Sequence, residues 1–186
     1  MKKIFILVAS TRKNRVGVVV SNWAERVASA HKDLAFEMVD LSDYPLPLLD
    51  SEVSPVAGTS AADLVSTWSS KMSSADGYLI ISPEYNHGYS GALKNALDSL
   101  KDEWAWKPVG IVGYGGLAGG ARSLEQLRLV LIELKMRPTY SSVLIPMAWD
   151  AFDEKGEPKH TGATTQLEGL LSELTKMITT LPNNPG

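Results

Sequence analysis

Short continuous apolar runs alternate along the chain with longer stretches in which apolar residues return every three or four positions. These are the signatures of buried strands and of amphipathic helices. Residues 4–8, 34–41, 78–82, 109–113 and 139–145 predict five strands. Helical spacing follows each: Val19, Val20, Trp23, Ala24 and Val27; then residues 59–75, with Leu64, Val65, Trp68 and Met72 facing inward. Leu93, Ala96, Leu97 and Leu100 mark a third helix running to about Glu103. Leu124, Leu127, Leu131 and Leu134 mark a fourth, and Leu167, Leu170, Leu171, Leu174, Met177, Ile178 and Leu181 a fifth. Strands alternating with helices predict a parallel, doubly wound α/β sheet in a single domain over residues 1–186.

Burial sets the expected strand order. The first, third and fourth runs are apolar throughout and belong in the centre. The second carries Glu37 and the fifth carries Tyr140, Ser141 and Ser142, so both belong at edges. Order 2-1-3-4-5 satisfies this, with the reversal between strands 1 and 3. A ligand is expected beside the loops that follow those strands. Residues 44–58 and 146–162 read as surface loops, and 182–186 as a frayed tail.

The chemistry is concentrated in three of the loops. After strand 1 come Ser10, Thr11, Arg12, Lys13, Asn14, Arg15 and Val16, just before a helix. Guanidinium groups beside a helix N-terminus suit a phosphate, although a solvated basic turn has the same composition and Lys13 reads as one. After strand 3 come Pro83, Glu84, Tyr85, Asn86, His87 and Gly88, with Ser90 as the expected cap of the next helix. Gly88 and Gly91 are the expected positions of positive φ or close backbone approach. After strand 4, Gly113, Tyr114, Gly115 and Gly116 allow a flat ring to approach the backbone, as a plain flexible turn also would.

Composition narrows the classes. Apolar content of 44% and charged content of 21% are ordinary for a globular protein. A net charge of −3 gives no sign of nucleic acid or anionic membrane as a partner. With no cysteine, disulfides, thiolate nucleophiles and Cys-based metal sites are excluded, and a reducing cytoplasm fits. The apolar start is too short for a signal peptide, and Ser10-Thr11-Arg12-Lys13 follows it at once. No apolar run has the length of a membrane span. His31, His87 and His160 lack metal spacing. There is no Gly-x-Gly-x-x-Gly after strand 1 and no Walker lysine. Trp104, Trp106 and Trp149 border loops and read as core or interface packing.

Pro83-Glu84-Tyr85-Asn86, followed by Ser90-Gly91-Ala92-Leu93-Lys94-Asn95-Ala96-Leu97-Asp98, resembles the signature of the NADPH-dependent FMN reductase family. Ser10-Thr11-Arg12-Lys13-Asn14-Arg15 is similar to that family's phosphate-gripping segment, with Ala9 where Gly often stands. Tyr114-Gly115-Gly116 resembles its flavin-side loop, and Gly119-Gly120-Ala121-Arg122 continues the likeness. The resemblance implies a flavodoxin-like three-layer sandwich, bound FMN, and NADPH or NADH as hydride donor. Small-molecule acceptors would be quinones, azo compounds, metal oxyanions or free flavin. It implies cofactor-binding roles for Ser10, Arg12, Asn14, Arg15, Val16, Pro83, Glu84, Tyr85, Asn86, His87, Gly113, Tyr114, Gly115 and Gly116. No side chain is assigned as catalytic, because the flavin N5 would carry the chemistry. N–H groups near Asn86 and Gly115 are expected to face charge on the reduced ring. The resemblance further implies a homodimer or homotetramer, with Asp98 near the contact and Tyr89 and Trp104 extending its surface. A flavodoxin-type electron carrier and a flavin-free scaffold of the same fold are the alternatives.

Overall fold

A computed structural model describes residues 1–49 and 60–181. Five parallel strands, β1 (Lys2–Val8), β2 (Leu34–Asp40), β3 (Gly77–Pro83), β4 (Pro108–Tyr114) and β5 (Arg137–Ile145), form one sheet in the order 2-1-3-4-5. The helices are α1 (Gly17–Ala28), α2 (Ser60–Ser73), α3 (Gly91–Asp98), α4 (Ala121–Glu133) and α5 (Ala163–Thr180), with a short 3-10 turn at Leu41–Asp43. Much of the expected 44–58 loop, the Thr59 start of the second helix and the 182–186 tail lie outside the described residues.

Strand alternation produces the three layers. Successive side chains of β1 and β3 point to opposite faces. Phe5, Leu7, Tyr78 and Ile80 pack with Trp68 and Met72 of α2, Leu93 and Leu97 of α3, and Leu127 of α4. Ile6, Leu79 and Ile81 pack on the other face with Trp23 of α1 and Leu167 and Leu171 of α5. The central strands β3 and β4 are buried along their whole length, as their continuous apolar runs require. Val8 pairs with Ile81, and Pro83 with Tyr114, so the loops after β1, β3 and β4 leave the sheet at nearly one level.

Several expectations change. The third helix stops at Asp98, because Ser99 turns its hydroxyl back to Asn95 O at 2.6 Å and the chain enters successive turns. β4 starts one residue before the expected 109, at Pro108, and runs on to Tyr114. Leu64 and Val19 face solvent, at 38% and 39% exposure, since their inward neighbours already fill each helix stripe. Trp104 is fully buried, edge-on to Trp68 and tilted against Tyr78, and donates its indole N–H to Leu97 O at 3.0 Å; it extends no surface. β5 begins two residues before the expected start, where Arg137 and Pro138 pair with Pro108 and Val109, and a bulge then sets Ile111 opposite Ser142. Glu173 accepts the Tyr140 and Ser141 N–H groups at 2.6 and 3.0 Å, which satisfies the bulged backbone.

Candidate functional site

Each of the three loops is shaped by a different local device. In the first, residues Ser10 to Val16 lead into α1, whose N-terminus has no side-chain cap. Asn14 takes φ 55°, a left-handed value that Asn tolerates well. Arg12 is exposed and has no carboxylate partner among the described residues; its guanidinium lies 5.6 Å from the Tyr85 ring centre. Arg15 is committed differently. It pairs with Asp40 at the end of β2 and donates to Ser42 Oγ at 3.0 Å, and its Nε is buried without a partner among the described residues.

The second loop is a miniature hairpin. Tyr85 N–H donates to Gly88 O at 2.8 Å and Gly88 N–H returns to Tyr85 O at 3.0 Å. The two residues between them, Asn86 and His87, have φ 50° and 72°, the signs a type I′ turn requires. Positive φ therefore falls on Asn86 and His87, whereas Gly88 and Gly91 do not take it. The turn is fixed from both sides. Glu84, with only 4% of its side chain exposed, binds the Arg122 guanidinium and accepts the Arg122 N–H at 3.2 Å, which also caps α4. Burial alone would raise the Glu84 carboxyl, but the bonds from Arg122 and Ser123 outweigh it and hold the group below its ordinary value. Gln126 donates to His87 O at 3.0 Å. Ser90 caps α3, accepting from Leu93 N–H at 3.1 Å, as its position predicts.

The third loop depends on glycine geometry. A Cβ on Gly120, at φ 98°, would lie 2.6 Å from Tyr114 N. One on Gly17 would lie 2.5 Å from the Tyr114 hydroxyl, so the start of α1 makes room for that phenol. The Tyr114 hydroxyl is buried and meets no hydrogen-bond partner of good geometry among the described residues; burial pushes its acidity far below that of a free phenol, and the nearby Ser10 hydroxyl offsets this only in part. Beside it, the Ser10 and Tyr85 hydroxyls share a 2.6 Å hydrogen bond. The Gly115 N–H is already donated to Ile145 O at 3.2 Å, so it is not free for a reduced ring, contrary to expectation.

The loops enclose a cleft of about 320 Å³. Arg12, Asn14, Arg15 and Val16 line it from the first loop, Pro83, Glu84 and Tyr85 from the second, and Tyr114, Gly115 and Gly116 from the third. Ser10 lies fully buried behind this wall, Gly113 is buried in β4, and Asn86 and His87 lie beyond the wall. Ala148 and Trp149, from the loop after β5, complete the lining; Ala148 stands out in no sequence pattern, and Trp149, expected in core or interface packing, is exposed on the cleft wall. The strand order itself held the signal, since β5 beside β4 brings its following loop against Gly115. Other clefts of about 350, 410 and 540 Å³ are as large or larger, so polar inventory and not size distinguishes this one. Among the described residues, no group of three or more His, Cys, Asp or Glu is placed to hold a metal ion. No helix among them is long and apolar enough to cross a membrane.

The sequence model described as NADPH-dependent FMN reductase matches residues 2–150. The chain belongs to that family. It is therefore an enzyme, an FMN-dependent oxidoreductase that uses NAD(P)H, and neither a carrier nor a flavin-free scaffold. An NAD(P)H-dependent FMN reductase of Schizosaccharomyces pombe is 35% identical over 180 residues, covering 92% of this chain and 90% of that one. A quinone reductase of Escherichia coli K12 is 29% identical over 185 residues, 95% of each chain. The structure of FerB, a flavoenzyme NAD(P)H:(acceptor) oxidoreductase from Paracoccus denitrificans, superposes with TM-score 0.80 over 96% of this chain and 98% of that one at 22% identity, which shows the shared fold.

The residues present fit the cofactor of this reductase family. An α1 N-terminus without a side-chain cap, together with Arg12 and Arg15 Nε, which lack partners among the described residues, suits a phosphate. The orphaned Tyr114 hydroxyl offers a polar chain a buried hydrogen-bond partner. The bare backbone of Gly116, whose added Cβ would meet nothing nearer than Trp149 at 3.9 Å, leaves space for a flat ring.

Proposed function

We propose that the chain works as one cytoplasmic FMN-binding domain that reduces quinone-type acceptors from NADPH or NADH, and that it does so as a homodimer or larger homo-oligomer. Bound FMN supplies the hydride-accepting and electron-donating chemistry. The protein supplies position and charge. Arg12, together with the α1 N-terminus, would hold the phosphate; Arg15, fixed by Asp40 and Ser42, would orient the loop and offer its Nε. Glu84 would work indirectly, locking the Tyr85–Gly88 hairpin to α4 so that Tyr85 walls the cleft. Tyr114 and Gly116 would face the cofactor, and Asn86 and His87 would meet it at the rim. The Asn86 N–H has no acceptor among the described residues and is the donor best suited to negative charge on the ring.

The observation that carries this reading is the convergence on one cleft, at the strand-order reversal, of Arg12 and two buried polar atoms that lack partners among the described residues. The similarity to a quinone reductase over 95% of the chain supports the acceptor class. The test is the visible spectrum of the purified protein, then release and identification of its chromophore, then steady-state NAD(P)H oxidation with a small quinone. Nicotinamide and acceptor would share one open side of the cleft, so double-reciprocal lines at several fixed quinone concentrations should be parallel. Intersecting lines would require both substrates to be bound together and would refute the shared site.

A further inference from the structure

The turn after β5 presents a large aromatic side chain that packing does not explain. Trp149 is 67% exposed, whereas Trp23, Trp68 and Trp104 are fully buried. Isolated exposed apolar residues are common, but this one lies on the wall of the cleft with Arg12, Tyr85 and Tyr114. Its ring stands beside Gly116, with Cη2 3.9 Å from where a Cβ would be, so the absence of a side chain there keeps the space next to the indole open.

The turn is also held in place. Met147 N–H donates to Gly116 O at 3.0 Å and Ala148 N–H to Gly115 O at 2.9 Å, which ties it to the third loop. Asp150 N–H closes it on Met147 O at 2.8 Å. Met147 takes φ 46°, a left-handed value that costs a non-glycine residue free energy and that the surrounding bonds must impose. Farther on, the Phe152 ring packs edge-on against Trp23 at 5.8 Å, and Glu157 pairs with Arg26 at 2.8 Å. An ordered turn that offers an exposed ring at a cleft mouth has already met the entropic cost of positioning a binding surface.

We propose that Trp149 is an acceptor platform. Its indole stacks planar conjugated acceptors of the quinone class at the cleft mouth and thereby favours them over compact inorganic oxidants. This rests on the flavin reading above. Flat conjugated rings gain from offset or edge-on contact with an indole. Ferricyanide, octahedral and without a flat face, gains nothing comparable.

The test uses FMN-loaded wild type, Trp149→Ala and Trp149→Phe. 1,4-Naphthoquinone is titrated into each oxidised protein without pyridine nucleotide, and binding is read from perturbation of the flavin spectrum. Trp149→Ala should raise the naphthoquinone Kd roughly five- to tenfold, the loss expected of one ring contact, and Trp149→Phe should restore most of it. The ratio of kcat/KM for naphthoquinone to that for ferricyanide should fall by a similar factor in Trp149→Ala. Because Trp149 lines the same cleft, FMN affinity of the apoprotein is measured alongside and should fall by a clearly smaller factor than naphthoquinone affinity. A normal FMN complement with an unchanged naphthoquinone Kd overturns the proposal alone. A tenfold loss of FMN affinity assigns the indole to the cofactor and overturns it too. A wild-type protein that takes up no FMN overturns the flavin reading, and this proposal with it.

Discussion

At the N-terminal end of the sheet, Asp76 accepts from Lys2 Nζ at 2.9 Å and from the Lys3 N–H at 2.8 Å. The Tyr78 hydroxyl donates to Met72 O at 2.8 Å, and Lys107 Nζ donates to Met72 O and Ser73 O at 2.8 and 3.2 Å, closing the end of α2. At the C-terminal end, by contrast, among the described residues Arg12 has no carboxylate partner, α1 has no side-chain cap, and Arg15 Nε and the Tyr114 hydroxyl are buried without partners. Both ends carry left-handed residues. At the lower end Lys135 ends α4 with its N–H on Ile132 O at 2.9 Å, while Met136 N–H reaches Leu131 O at 2.9 Å, an ordinary helix stop made with Lys where Gly is usual. Strain therefore does not separate the two ends; unmet hydrogen-bonding capacity does. A fold that satisfies one rim from within and leaves the other unsatisfied has reserved the second for a ligand.

The contrast breaks most severely at Gly120. Alanine there would place a Cβ 2.6 Å from Tyr114 N and 2.7 Å from Gly113 C, both backbone atoms that cannot step aside. Gly120→Ala should cost about 3 kcal/mol, measured by denaturant unfolding, and should reduce FMN uptake at the same time. A stable variant with full FMN would show that the third loop is not rigid.

Glu84→Ala comes next. Removing a buried carboxylate ordinarily costs more when its partner is left buried, but Arg122 is 45% exposed and can be solvated. A loss of about 2 kcal/mol is expected, again with weaker FMN binding because the hairpin loses its anchor. The sign of the pH dependence follows from a folded-state pKa below the ordinary value of 4.5. The unfolded carboxyl binds its proton first as pH falls. The contribution is thus complete above the unfolded pKa and is lost as pH drops through the folded one. Melting curves between pH 6 and about pH 3 should therefore converge for wild type and variant.

Lys107 tests the other rim, with a smaller effect. Burial lowers its ammonium from 10.5 to about 8. Between those values the unfolded chain holds the proton more strongly, so stability should rise with pH from about 8 to 10.5. Lys107→Met should abolish that rise, which is worth on the order of 1 kcal/mol once solvent screening of a half-buried group is allowed for. FMN affinity should not change. A flavin effect from Lys107 would erase the distinction between the two rims.

How far the residues announced all this depends on the range of the interactions. β1, β3 and β4 are legible because burial on both faces demands unbroken apolar runs, and the order 2-1-3-4-5 follows from Glu37 and the polar fifth run. The Ser90 cap is local, so it too is legible. The hairpin turn is local but misleading: glycines next to it suggest positive φ, while Asn86 and His87 adopt it because Tyr85 and Gly88 pair across them. Arg15 looks as free as Arg12 until the sheet brings Asp40 beside it from the adjacent strand. Trp104 resembles a surface residue near a helix end, yet it is covered by Tyr78 and Trp68 from separate elements. Trp149 requires the whole sheet, since only the seating of β5 against β4 puts its loop over the cleft.

A phosphate held by Arg12 at the start of α1 is what sets the two rims apart, so the most direct test compares two ligands that differ only there. Apoprotein is titrated with FMN and with riboflavin, for wild type and Arg12→Ala, following flavin fluorescence. Wild type should bind FMN more tightly than riboflavin. Arg12→Ala should weaken FMN by roughly tenfold to a hundredfold, the loss of one charge-assisted hydrogen bond, and riboflavin by much less. Equal losses for both flavins, or no preference in wild type, would place the phosphate elsewhere and contradict the account.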